Sequence, residues 1–113
     1  MTIVYKIFRA GEYADFAARG ETEGAPVDIE DGYVHMSTSE QVSETAAKYF
    51  AGEVGLKVLA IDSDALGDDV KWEPSRGGGL FPHLYRNLKA EDVQWVKDLP
   101  WVGDAHDFGG ILP

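Results

Sequence analysis

The chain has 113 residues, 44% of them hydrophobic and 12% aromatic, which suits one folded domain and leaves no room for a second. Ten Lys and Arg stand against 20 Asp and Glu, a formal net charge of −10 and a poor surface for nucleic acid, which requires clustered cations. The absence of cysteine excludes disulfides, thiol catalysis and zinc–thiolate sites.

Residues 2–8, TIVYKIF, read as a strand with Ile3, Tyr5 and Ile7 on one side and Val4, Lys6 and Phe8 on the other. Both sides are apolar enough for a central place in a sheet. Lys6 is the exception, and it either snorkels to the sheet edge or projects into a site. Lys6 and Arg9 also interrupt the apolar run that a secretory signal needs, and no later run approaches the ~20 residues that cross a bilayer. The expected location is therefore the cytoplasm.

Residues 12–19, EYADFAAR, form a helix with Tyr13, Phe16 and Ala17 inward and Gly20 as its stop. Residues 21–30 hold Gly24, Pro26 and several acids; an exposed irregular loop is expected, either a connector or a cover for a site.

The stretch 31–50, DGYVHMSTSEQVSETAAKYF, reads as a short strand, a polar turn and an amphipathic helix. Period two puts Val34 and Met36 on the core face and Tyr33, His35 and Ser37 on the other. Ser37 and Glu40 have the spacing of a capping box. The helix then repeats its apolar residues at Val42, Ala46, Tyr49 and Phe50, with Gly52 just beyond. An imidazole beside a helix start is chemically useful, because unpaired N–H groups there favour an anion. The competing reading of His35 is a hydrogen-bonded packing residue.

Residues 56–62, LKVLAID, alternate as a third strand, followed by a turn-prone segment at 63–69. Residues 70–73, VKWE, form a fourth strand stopped by Pro74, and 75–79, SRGGG, a flexible connector that matches neither phosphate-loop nor dinucleotide fingerprints. Residues 81–86, FPHLYR, place Phe81, His83 and Tyr85 on one side, with the proline marking an edge strand or a strand start. Residues 93–97, VQWVK, make a last strand, and the tail, 100–113, either packs along the domain or reaches a partner subunit. Helical patterns early and strands later, without regular alternation, give an α+β class.

The blocks Tyr5-Lys6, residues 31–42 (DGYVHMSTSEQV), Trp72-Glu73 and residues 81–85 (FPHLY) occur in an order that resembles an uncharacterised bacterial family, number 952 among the domains of unknown function. That family is grouped by fold with the ADP-ribosyltransferases, including the tRNA 2′-phosphotransferase type. The resemblance implies a split antiparallel β core of two small sheets with two or three helices outside, in one domain over 1–113. It also implies NAD as candidate cofactor in a cleft between the sheets. There Lys6 would orient a ribose or phosphate, His35 would face the same cleft, and Glu73 would stabilise a developing oxocarbenium. These three are the candidate catalytic residues, although Lys6 stands where the family more usually has His. The candidate ligand-binding residues are Tyr33, Ser37, Thr38, His83, Tyr85 and Arg9.

The expected partner is a small molecule, with neither nucleic acid nor membrane. No metal is expected: His35, His83 and Glu73 suit zinc by type but lack a close HxH or HExxH spacing. The alternative function is a non-catalytic ligand-binding or structural module on the same fold.

Overall fold

The computed structural model describes residues 2–75 and 78–112. Arg76 and Gly77, in the middle of the glycine connector, lie outside the described residues. The first half of the chain runs β1 (Ile3–Phe8), α1 (Ala10–Arg19), β2 (Glu21–Thr22), α2 (Pro26–Asp31), β3 (Val34–His35), β4 (Ser37–Thr38) and α3 (Val42–Tyr49). The second half runs β5 (Leu56–Asp62), α4 (Ser63–Leu66), β6 (Val70–Pro74), β7 (Leu80–Leu84), β8 (Leu88–Lys89), β9 (Val93–Leu99), β10 (Trp101–Val102) and β11 (Ala105–His106).

The class is α+β, as expected, and the β core is split. One sheet has the order β4-β1-β5-β9, the other β3-β7-β6, and β2-β8 and β10-β11 are small ribbons. Every strand pair is antiparallel.

β1 is central because both its faces are apolar. Val4 and Phe8 join Phe16 of α1, Leu59 and Ile61 of β5, and Val34 and Leu84 from the three-stranded sheet in one core. Tyr5 and Ile7 join Val42 and Ala46 of α3, Val58 and Ala60 of β5, and Ile111 of the tail in the other. The two sheets thus meet on one side of β1, and α3 with the tail covers the opposite side. Among the described residues no helix is long and apolar enough to cross a membrane.

Several local expectations are corrected. The stretch expected as a loop at 21–30 contains β2 and α2, because Pro26 begins a helix that Gly32, at φ +89°, ends in the left-handed region. The single strand expected through Ser37 breaks at Met36: β3 pairs with β7, whereas β4 pairs with β1. Ser37 consequently turns away from the His35 face, and its hydroxyl lies 3.1 Å from that of Thr45 on α3.

The expected capping box of Ser37 and Glu40 is replaced by a reciprocal pair one residue later, in which Thr38 N–H donates to Gln41 Oε1 (3.0 Å) and Gln41 N–H to Thr38 O (3.1 Å). Pro82 lies in the central strand of its sheet rather than at an edge. Its carbonyl accepts from Met36 N–H at 3.0 Å, so its missing N–H also points towards β3, where that strand has just ended. The tail packs along the domain: Asp107 N–H donates to Pro100 O (2.9 Å), and Ile111 is buried in the second core.

Candidate functional site

The site is built on the three-stranded sheet. His35 of β3 pairs in register with His83 of β7, which pairs with Lys71 of β6. Residues directly opposite in an antiparallel sheet share a face, so the two imidazoles stand side by side, ring centroids 5.4 Å apart. Tyr33 covers them, stacked on His83 at 4.2 Å and tilted against His35 at 4.6 Å, and it is also tilted against Tyr85 at 5.2 Å.

Each histidine is held by a carboxylate. Glu73 Oε1 accepts from the Tyr85 hydroxyl at 2.6 Å and lies 2.9 Å from His83 Nδ1. The Tyr85 bond, and then His83, hold the Glu73 carboxyl below the usual glutamate range. In return Glu73 pushes the Tyr85 phenol up to about 12. Tyr33 is also raised, by burial first and then by Asp31, Glu73 and Asp28.

On the other side stands Asp28, 0% exposed. It is the third residue of α2, and its Oδ2 accepts from the N–H of Ala25, the cap residue, at 2.7 Å. The same oxygen accepts from Lys6 Nζ at 2.7 Å. Oδ1 accepts from His35 N–H at 2.9 Å and lies 2.6 Å from His35 Nδ1. Burial works to raise the Asp28 carboxyl, but the His35 hydrogen bond and Lys6 overcome it and leave it below the ordinary aspartate range. Burial lowers Lys6, with Asp28 opposing. The outer nitrogen of His35, Nε2, lies 3.0 Å from Asp31 Oδ2 at the end of α2.

Of the residues singled out in the sequence, Tyr33, His35, Glu73, His83 and Tyr85 come together here. Lys6 does not emerge on the sheet surface: it is 6% exposed, and its ammonium is enclosed between Asp28 and the carbonyl of His35, 2.9 Å away. Thr38 is occupied in the turn before α3, as Ser37 is against that helix. Arg9 begins α1 and makes a two-pronged pair with Glu53 at 2.7 and 3.0 Å. His106, in the tail, sits with Nε2 2.9 Å from Glu53 O.

Two surface hollows lie away from the cluster. One of about 390 Å³ is lined by Arg19, Glu21, Lys89 and Glu91, and one of about 230 Å³ lies between α3 and the tail hairpin, against Ser43, Trp101 and Phe108. The site is placed by its chemistry rather than by the depth of these hollows, because four rings and the carboxylates that hold them converge at the sheet. Among the described residues no three His, Cys, Asp or Glu side chains are grouped to hold a metal ion.

Asp28 and Asp31 are the members that the sequence did not reveal as site residues. Pro26 and Gly32 frame the helix that was expected as a loop. The burial of Asp28 was not, because its apolar neighbours Val27 and Ile29 are 54% and 56% exposed, the reverse of hydropathic order.

Residues 7–96 match the family described as "Protein of unknown function (DUF952)". The crystal structure of protein CC0527 from Caulobacter crescentus is similar over 96% of both chains, with 44% identity and a TM-score of 0.92. The solution NMR structure of CC0527 is similar over 99% of this chain and 97% of that one, with 45% identity and a TM-score of 0.88. No curated protein matches the chain.

Proposed function

The chain belongs to the DUF952 family, and from that premise we propose that it binds NAD or a related nucleotide, with the nicotinamide–ribose end on the cluster of Tyr33, His35, Glu73, His83 and Tyr85. The observation that carries this reading is the convergence of four rings, at centroid spacings of 4.2 to 5.4 Å, with two carboxylates that each hold an imidazole. Such a surface suits a flat, cationic ring: aromatic faces attract it and the Glu73 and Asp31 carboxylates offset its charge. His35 Nε2 is placed to bond a ribose hydroxyl. Lys71, opposite His83 on β6, is the nearby cation for a phosphate.

Lys6 contributes from beneath, by holding Asp28. If the bound nucleotide reacts, the fitting chemistry is ADP-ribosyl transfer. The C1′–N bond breaks, nicotinamide leaves with the bonding electrons, and an acceptor oxygen bonds to C1′ and gives its proton to His35. Glu73 stabilises the oxocarbenium as it forms.

A non-catalytic ligand-binding or structural module is the second reading. Among the described residues no buried side-chain nitrogen or oxygen lacks a partner, so the buried part of the cluster is satisfied without a ligand. Calorimetric titration of wild type and His35→Ala with NAD and ADP-ribose tests both. A saturable heat lost in the folded variant supports nucleotide binding; no heat from folded wild type at millimolar ligand overturns it.

A further inference from the structure

The geometry points to Asp28 as the positioning residue of the site: it locks His35 with the Nδ1 proton turned inward, so that Nε2 is the one ring atom offered to a ligand. The carboxylate is itself immobile, because Lys6 Nζ and the N–H groups of Ala25 and His35 hold it at 2.7, 2.7 and 2.9 Å. Each of these groups can only donate to it, so Asp28 is left as a pure acceptor and Nδ1, at 2.6 Å, must be the donor. An unprotonated Nδ1 would set its lone pair against the lone pairs of this enclosed carboxylate at 2.6 Å, and so the ring's inward proton stays on Nδ1.

The outward atom has a different kind of partner. Asp31, 3.0 Å from Nε2, is exposed and sits at the last position of α2, where water can replace the imidazole at little cost. It therefore serves as an exchangeable occupant of the place a ligand takes. The remaining groups that face the ring are Tyr33, tilted against it, and His83, whose Nδ1 is committed to Glu73. With Nδ1 fixed as donor, neutral Nε2 accepts from a ligand hydroxyl, the group a sugar presents. This inference deepens the proposed site but does not need a ligand to be tested.

The test is a long-range proton–nitrogen NMR spectrum of the ¹⁵N-histidine-labelled protein across a pH series, without ligand. In wild type, Nδ1 of His35 should stay in the protonated range throughout, while Nε2 alone moves between protonated and bare. Asp28→Ala, which leaves no acceptor at this position, should bring the two nitrogens towards a common averaged position, and Asp31→Asn should shift Nε2 while leaving Nδ1 protonated. A wild-type ring carrying its neutral-form proton on Nε2 overturns the assignment, as does a folded Asp28→Ala protein that keeps Nδ1 protonated. Should Asp28→Ala fail to fold, wild type and Asp31→Asn decide, because an unconstrained imidazole favours the opposite tautomer. Failure here leaves nucleotide binding to be judged by calorimetry, and absence of nucleotide binding leaves this result untouched.

Discussion

Asp28→Asn keeps the shape of the side chain and removes its charge, and its cost follows from the four hydrogen bonds around it. Oδ2 faces Lys6 and Ala25 N–H, and Oδ1 faces both His35 donors. Whichever position the amide nitrogen takes, its protons meet two other donors. Lys6, with 7% of its side chain exposed, simultaneously loses its counterion. Removing one partner of a buried ion pair costs ~3–5 kcal/mol.

For a chain of 113 residues the unfolding entropy is roughly 240 cal/mol/K, so each kcal/mol moves Tm by about 4 °C. The expected drop is therefore about 12–20 °C, read by circular dichroism at neutral pH. Adding Lys6→Met should recover part of it, since the orphaned ammonium is then gone, with a coupling above about 1 kcal/mol. A drop under about 4 °C, or simple additivity in the double variant, would refute the view that this pair anchors the site. The sign with pH is also fixed. The Asp28 carboxyl lies below its ordinary range, so its stabilisation is present above an unfolded aspartate pKa of about 3.9 and is lost as pH falls through the folded value.

Other perturbations follow from the same contacts. At Gly24, with φ +107°, an added Cβ would lie 2.4 Å from Asp28 Oδ2, so Gly24→Ala should cost roughly 2 kcal/mol or more in urea unfolding and displace the His35 resonances. The Tyr85 phenol, raised to about 12 by Glu73, favours its neutral form on folding, so this contribution is intact below an unfolded pKa of about 10 and fades as pH climbs towards 12. Phenolate absorbance should show a late component in wild type that Glu73→Gln moves to lower pH; an unchanged titration contradicts the bond. Ile111 fastens the tail into the second core, and Ile111→Ala should lose about 2–3 kcal/mol in denaturant melts. A loss below about 0.5 kcal/mol would mean that the tail is not docked.

The elements that the sequence revealed were those governed by local periodicity. β1 and β5 alternate plainly, and α1 ends at Gly20, whose φ of +79° only glycine adopts readily. The pairing of His35 with His83 was not legible, because register depends on which strand reaches which sheet. The switch at Met36 from one sheet to the other leaves no local signal and redirects Ser37 away from the site. Lys6 was visible as a misfit on an apolar strand, and its explanation lay 22 residues on, in an aspartate that sits where hydropathy would put Val27 or Ile29. Buried polar networks satisfy donors and acceptors in three dimensions, and hydropathy along a chain does not encode that.

The central claim is that the paired imidazoles mark a nucleotide site, and the chain carries its own control: of 3 histidines, two lie in the cluster and His106 lies in the tail. The direct measurement is to follow the imidazole resonances of all three while adding NAD to the folded protein. The account predicts saturable shifts at His35 and His83 with His106 unmoved, and loss of those shifts in Tyr33→Ala if that variant stays folded. Three sets of resonances that remain still at millimolar NAD, or move together without saturation, would contradict it.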